Sequence, residues 1–283
     1  MVDALRHFLL IAEHGTFTAA ARHAHLSQPA LTASMRRLEE TFDARLFDRD
    51  RNGARLTEAG KALLPHARAA TVAVDEGRRV VAELSSLAGG EVRIGGGATA
   101  CTYLLPAVLS TFRRQHPKVA LRLRELPEHL AVDAFEAGEL DIVVAGAAHG
   151  DLFRMEDVIL VAAPGVDAGT LPFITFPRGS AVRALLDRLF PEADIAMELA
   201  SSSTVKGSVR AGLGVALVSR SSVATDLSLG RLVEFADRRT PIQRPLRLVH
   251  RGIERLSPAC RALRALLLAG APKEPRSRRK GTS

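Results

Sequence analysis

Residues 17–60 read FTAAARHAHLSQPALTASMRRLEETFDARLFDRDRNGARLTEAG, and this stretch decides the fold. Ser27 precedes Leu31, Met35, Leu38 and Phe42, which fall within a roughly 60° arc at about 100° per residue. Those four are the expected core face of a helix. Ser27 is its expected N-cap, because a serine hydroxyl accepts from an otherwise unpaired backbone N–H. Pro29 falls in the first turn, where a missing N–H costs little. Pro29, Thr32, Ala33 and Arg36 lie largely opposite the core, with Gln28 at the N-terminal tip and Arg37 alongside. Upstream, Thr18 is the expected cap of a helix through Ala19, Ala20, Ala21 and Ala24, which turns at His25-Leu26. A first helix carries Leu5, Phe8, Leu9 and Ala12 at helical spacing and ends at His14-Gly15. Two helices joined by a short turn, the second presenting small and polar residues, predict a helix-turn-helix whose second helix fits the major groove. Downstream, Asn52-Gly53 between Arg45–Arg49 and Arg55-Leu56 is a tight-hairpin signal and predicts a wing. From it Arg49, Arg51 and Arg55 are expected to reach phosphates or the minor groove.

Thr57 is the expected cap of a long helix reaching about Leu87. Leu63, Ala67, Ala70, Val74, Gly77, Val81 and Leu84 follow the alternating four-and-three spacing of a coiled-coil seam. Roughly 30 residues at 1.5 Å each span about 45 Å. Pro65 is expected to kink the early turns. The same pattern also suits an amphipathic helix packed within one chain.

After Gly89-Gly90 the pattern changes to alternating strands and helices, predicting α/β layers on a largely parallel sheet. Strands are expected at Glu91–Gly95, Val119–Glu125, Leu140–Ala145, Phe173–Phe176, Val215–Val218 and Leu246–Val249. Helices are expected at Tyr103–Gln115, His129–Ala137, Ala181–Phe190, Thr204–Ala211 and Pro258–Leu268. In such folds ligands sit beyond the carboxyl ends of strands, at helix N-termini. Ala98, Thr99 and Thr102, then Gly146, then Arg178 and Ser180, then Ser202, Ser203 and Thr204 occupy such positions. Hydroxyls, free N–H groups and one arginine favour a small anion, a carboxylate first. Any one of these hydroxyls taken alone is an ordinary helix cap.

The N-terminal run resembles the DNA-binding domain of LysR-type transcriptional regulators almost end to end. The shared elements are Phe17-Thr18, Ala20-Ala21, Ser27-Gln28-Pro29-Ala30-Leu31, Arg37-Leu38-Glu39, Leu46-Phe47, Arg49, Leu56-Thr57 and Ala59-Gly60. One position departs: Ala33 stands where the family often carries a basic residue. The C-terminal runs LLPAVLSTFRRQHPKVALRLREL, AGELDIVVAG, FPRGSAVRALLD, VKGSVRAGLGVALVSRS and GRLVEF resemble the family's effector domain. Residues 146–170 appear shorter than the family pattern. The resemblance implies a winged helix-turn-helix (1–60), a linker and dimerisation helix (57–87) and a two-lobed effector domain like periplasmic solute-binding proteins (90–270). Lobe 1 would take about 90–160 and 240–270, and lobe 2 about 161–239. It implies a DNA-binding site at Thr18, Ser27, Gln28, Pro29, Thr32, Ala33, Arg36, Arg37, Arg49, Arg51 and Arg55. It further implies double-stranded DNA with an inverted repeat, a homodimer or homotetramer, and contact with RNA polymerase. No cofactor is expected beyond a small effector.

Composition tests these readings. The net charge of +8 looks like a nucleic-acid signal, yet from Arg261 onward there are seven Lys and Arg against one Glu. The first sixty residues balance eight Arg against eight acids, so the excess is a basic tail and pattern must carry the DNA reading. That tail, 271–283, is expected to be disordered. Outside the resemblance, Arg36 and Arg37 would be ordinary solvated charges. His7, His14, His23 and His25 have no common zinc spacing. No apolar run is long enough for a membrane span, and the first residues, with Asp3, Arg6 and His7, lack a secretory pattern. Two cysteines, Cys101 and Cys260, give no disulfide framework, so a reducing cytoplasmic setting is expected. Two other readings of the chain are a solute-binding protein and a redox-sensing regulator using Cys101. An enzyme is not expected: there is no nucleophile motif, metal spacing or dinucleotide fingerprint, and Gly95-Gly96-Gly97 lacks the Gly-Lys-Ser/Thr of a phosphate loop.

Overall fold

The computed structural model describes residues 1–50, 53–85 and 89–270. They form two compact units, one of Met1–Ser85 with Glu136–Gly138 and one of the other described residues from Gly89 onward. Arg51, Asn52 at the hairpin turn, and the tail 271–283 lie outside the described residues.

The first unit is α1 (Val2–His14), α2 (Phe17–His23), α3 (Gln28–Phe42), a hairpin of β1 (Phe47–Asp50) and β2 (Gly53–Leu56), and α4 (Glu58–Ser85). Its core joins Phe8, Ile11, Ala20, Leu31, Met35, Leu38, Leu46 and Phe47 with Ala67 from α4. The Phe47 ring meets Phe8 at 5.3 Å and Phe17 edge-on at 6.0 Å, so the hairpin is anchored by its first residue. Gly15 ends α1 in the left-handed conformation (φ 68°), and its carbonyl accepts from Ala54 N–H at 2.7 Å. The wing is thereby tied to the end of the first helix.

Caps follow the side-chain chemistry, with one correction. The Ser27 hydroxyl accepts from Ala30 N–H at 3.3 Å, and the Thr57 hydroxyl from Gly60 N–H at 3.0 Å. The cap of α2 is Thr16, which accepts from Ala19 N–H at 3.1 Å; Thr18 lies inside the helix and is exposed. The core face of α3 is also corrected. Ser34 is buried beside Leu31, Met35 and Leu38, its hydroxyl 2.7 Å from His7 Nδ1. Phe42 is 46% exposed, because α3 stops there and Asp43 turns left-handed (φ 48°), sending Leu46 into the core instead.

Along α4 the expected seam divides. Leu63 and Ala67 pack into the core of their own unit. Ala70, Gly77 and Val81 are exposed and Val74 is half-buried. The helix runs on through Pro65. Arg6 of α1 holds Asp75 of α4 at 2.6 Å and Asp3 at 3.1 Å.

The second unit begins with β3 (Glu91–Gly96), a π-helical turn (Thr99–Leu104), α5 (Leu105–Gln115), β4 (Ala120–Glu125), α6 (Glu128–Glu136) and β5 (Ile142–Ala145). It continues with β6 (Asp151–Ala162), β7 (Phe173–Thr175), α7 (Ala181–Leu189), β8 (Ile195–Glu198), α8 (Ser202–Arg210), β9 (Ala216–Ser219) and α9 (Arg220–Ser228). The last elements are β10 (Val233–Glu234), β11 (Ile242–Val249) and α10 (Pro258–Leu268). β4, β3 and β5 are parallel; β11 is antiparallel to β5 and β6, and β6 is antiparallel to β9 and β10. The sheet is therefore mixed rather than largely parallel. Each lobe packs cores on both sides of it: Val92, Ile94, Leu105, Phe112, Leu248 and Leu263 opposite Phe135, Leu140 and Val143 in one lobe, and Ile159, Ile174, Val205, Val209, Val218 and Val223 opposite Val158, Leu160 and Leu186 in the other.

The residues around 146–170 that looked shortened contain the longest strand, β6 of 12 residues. Arg154, Glu156 and Asp157 break its apolar run and hide it. Glu156 is nevertheless buried, because its carboxylate accepts from Ser221 N–H at 2.9 Å and Ser221 hydroxyl at 2.7 Å at the start of α9.

Two outcomes test this packing. A methyl group at Gly60 would land on the Leu46 carbonyl oxygen, so Gly60→Ala is expected to destabilise the N-terminal unit by about 1–3 kcal/mol, read from amide exchange of its helices. Burial holds the His7 pKa below 6.5. The neutral ring therefore contributes fully above pH 6.5, and that contribution is lost as pH falls from 6.5 through the folded pKa. Melting of this unit is expected to drop over that range, with the His7 ring titrating below 6.5 by NMR.

Candidate nucleic-acid interface and ligand cleft

In the first unit, α3 turns Gln28, Pro29, Ala33, Arg36 and Arg37 to solvent, with Thr32 half-buried. Thr18 Oγ1 lies 3.5 Å from Gln28 Oε1, joining the start of α2 to the tip of α3. Arg36 Nε donates to Glu40 Oε1 at 3.0 Å, one turn along, and both side chains are exposed. That pair has little energy to hold Arg36 back, since an exposed helix pair of this spacing is worth about 0.3–0.5 kcal/mol. The Ser27 side chain is committed to its cap, so its backbone and position are what it offers. Arg55 is exposed on β2; Arg49 lies on β1, and its side chain and all of Arg51 are outside the described residues. The His14 and His23 rings stack at 3.9 Å, nearly parallel. Among the described residues no three His, Cys, Asp or Glu side chains group as a metal site.

In the second unit a cleft of about 330 Å³ opens between the lobes. Ala98, Thr99, Arg178, Ser180 and Ser202 line it. Thr102, Gly146, Ser203 and Thr204 do not. Thr102 instead donates to Glu125 Oε2 at 3.1 Å, Gly146 N–H to Glu128 Oε1 at 2.8 Å, and Thr204 to Ser201 carbonyl oxygen at 2.8 Å. Ser203 contributes its N–H to the Ser201 hydroxyl at 3.2 Å. These are caps and braces behind the lining.

Hydroxyl pairs close the cleft across the lobes. Thr99 Oγ1 and Ser219 Oγ are 3.1 Å apart, and Tyr103 OH and Ser202 Oγ 3.2 Å. Arg183 is buried and holds Asp187 at 2.7 Å, Glu198 at 2.6 Å and the Phe176 carbonyl at 3.3 Å. The Asp187 hydrogen bond leads in raising its pKa, so it stays charged and fixes the loop that presents Arg178.

Sequence reasoning missed several lining residues: Glu125, Glu128, His129, Ser219, Ser222 and Arg244. Glu125, Glu128 and His129 follow the carboxyl end of β4, so the strand-end rule that selected Thr99 would also have selected them. Arg244 had no local signal. It reaches the cleft only because β11 runs back beside β6, and there it pairs with Glu128.

Cys101 packs in the first lobe's core, its thiol donating to the Gly96 and Arg124 carbonyls at 3.3 and 3.5 Å. Burial, with Glu125 adding to it, pushes its pKa up to about 12. A thiol held neutral is a poor nucleophile, which weighs against the redox-sensing reading.

A winged helix-turn-helix joined in one chain to a two-lobed cleft domain defines a DNA-binding regulator with a small-molecule sensor. Residues 2–61 match the bacterial regulatory helix-turn-helix protein, lysR family, and residues 85–272 match the LysR substrate binding domain. The chain belongs to the LysR family of bacterial transcriptional regulators. It is 30% identical to the RuBisCO operon transcriptional regulator of Allochromatium vinosum over 95% of this chain and 96% of that protein. Full-length LysG of Corynebacterium glutamicum, solved with bound effector Arg, shares the fold with a TM-score of 0.66 at 18% identity, covering 95% of this chain and 96% of that one. Vibrio fischeri DarR, solved in complex with DNA, shares it with a TM-score of 0.55 at 21% identity, covering 95% and 98%. Among the described residues no helix is long and apolar enough to cross a membrane.

The Cys101 environment sets an expectation: native protein at pH 7–8 leaves Cys101 unmodified by maleimide or hydrogen peroxide, and modification appears only on unfolding, as read by mass spectrometry of peptides. Rapid labelling of Cys101 in the folded protein would contradict the burial that raises its pKa.

Proposed function

We propose that this regulator binds an interrupted inverted repeat as a homodimer. Its α3 would read the major groove, and a small molecule carrying an anionic group would bind in the cleft and alter how the protein sits on DNA. The observation carrying the DNA reading is the outer face of a capped second helix, where Gln28, Thr32 and Arg36 follow one another at four-residue spacing. Two identical readers impose two-fold symmetry on their site. The exposed seam positions Ala70, Gly77 and Val81 of α4 support pairing of two chains, and pairing of dimers into tetramers and contact with RNA polymerase follow the family resemblance. The arginine Arg178, beside the N-termini of α7 and α8, supports an anionic group on the second-lobe side. A ligand there regulates only by binding one arrangement of lobes or subunits more tightly than another. Relatives named for the RuBisCO operon make that operon's promoter the first operator to test.

Gln28→Ala and Arg36→Ala are each expected to weaken operator binding about 10- to 100-fold, the equivalent of roughly 1–3 kcal/mol per lost base contact, without changing oligomeric state. Mobility shift on footprinted promoter DNA, with light scattering for size, checks this. Operator affinity equal to the parent in both variants would remove α3 from the interface.

A further inference from the structure

The walls of the cleft carry opposite charge. On the first-lobe side the turn after β4, Glu125-Leu126-Pro127-Glu128, lines the cavity and contributes two carboxylates. On the second-lobe side Arg178 lines it, next to the capped starts of α7 and α8. The remaining cation, Arg244, is already engaged with Glu128, whose other oxygen accepts from Gly146 N–H at 2.8 Å. Glu125 differs. Its Oε2 accepts from Thr102 at 3.1 Å, and among the described residues no hydrogen bond is made by its Oε1. Arg178 likewise makes no hydrogen bond or ion pair among the described residues.

An unneutralised carboxylate on one wall and an unneutralised guanidinium on the other select a ligand with both charges. A polyanion such as a sugar bisphosphate would satisfy Arg178 and press its second charge toward Glu125 and Glu128. A simple carboxylate would answer Arg178 and leave the exposed Glu125 carboxylate without a cation. A zwitterion answers both, with its carboxylate on Arg178 and the second-lobe helix starts and its ammonium on Glu125. Ser219 and Ser222, both buried and in the cavity lining, place hydroxyls in the same cavity of about 330 Å³. We infer that the effector is an α-amino acid or a close zwitterionic analogue, held across the lobes between Glu125 and Arg178. This rests on the cleft being the effector site, as proposed above.

The test uses the full-length protein and matched pairs of probes. Thermal shift is measured with each common L-amino acid, with deaminated counterparts (2-oxoglutarate for glutamate, pentanoate for norvaline), and with ribulose 1,5-bisphosphate and inorganic phosphate. Titration calorimetry then follows for the strongest probe on the parent, Glu125→Gln and Arg178→Ala. The expected result is stabilisation by at least one amino acid, at least 10-fold weaker binding of its deaminated counterpart, and at least 10-fold loss in each variant. Glu125→Gln should leave the affinity for the deaminated counterpart unchanged or raised, a response that misfolding does not produce. Tightest binding by a dicarboxylate or a phosphate, lost in Arg178→Ala but retained in Glu125→Gln, overturns the zwitterion and keeps the cleft. A probe whose affinity survives both substitutions places the effector elsewhere and overturns the cleft reading too. No stabilisation by any amino acid also overturns the assignment.

Discussion

The antiparallel pairing of β6 with β11, from Ile242 beside Val158 to Leu248 beside Asp151, is the constraint on which the second unit depends. Each strand serves both lobes, so neither lobe can close its sheet alone. Residues of β11 pair on one side with β5 of the first lobe, and β6 pairs on the other with β9 of the second. The register slips between Leu246 and Arg247, where the chain passes from one lobe's sheet to the other's. Beyond this ribbon the lobes meet at the hydroxyl pairs and where Lys206 Nζ lies 5.3 Å from the Tyr103 ring centroid, so the ribbon is their main backbone connection. The same pairing carries Arg244 into the cleft floor.

Charged side chains on and beside this ribbon brace the helices around it. Glu156 leaves β6 to cap α9, and Asp226 within α9 accepts from Arg210 at 3.1 Å and lies 3.5 Å from Lys206. Asp151, at the start of β6, is 2.7 Å from Arg264 and 2.8 Å from His250, and its pKa is lowered chiefly by the Arg264 hydrogen bond. Such groups are costly to bury unless fully paired. Glu156 ties β6 to α9, Asp226 ties α9 to α8, and Asp151 ties β6 to α10, which fixes the frame around the cleft.

What was legible in the sequence follows the distance over which each feature is decided. The winged helix is set by neighbours: a cap, a proline in the first turn, a period of apolar residues, a hairpin. Ser27, Thr57 and the exposed side of α3 could therefore be read directly. Thr16 was missed because Thr16 and Thr18 are equally good caps until the packing of Phe17 fixes which turn comes first. Phe42 misled because helical period does not say where a helix stops. β6 was hidden by charges whose partners lie some sixty residues away, as Glu156 with Ser221 illustrates. The hydroxyls of the cleft followed from strand ends, but Arg244 and the opposition of Glu125 to Arg178 exist only once the lobes are folded.

The division of α4 bears on how two chains would pair. Leu63 and Ala67, the largest and the best buried of the early seam positions, are spent on the core of their own unit. Among the seam positions whose side chains the structure describes, what remains is Ala70, Val74, Gly77 and the 64% exposed Val81, small side chains with little apolar area; the Leu84 side chain lies outside the described residues. At about 25 cal/mol per Å² such a strip contributes only a few kcal/mol, less than the freedom lost when two chains associate. A dimer resting on these four positions alone would therefore be weak. Under the function proposed above, the second unit would supply the rest of the contact, and a ligand that changed the lobes would then change chain pairing and with it the spacing of the two readers.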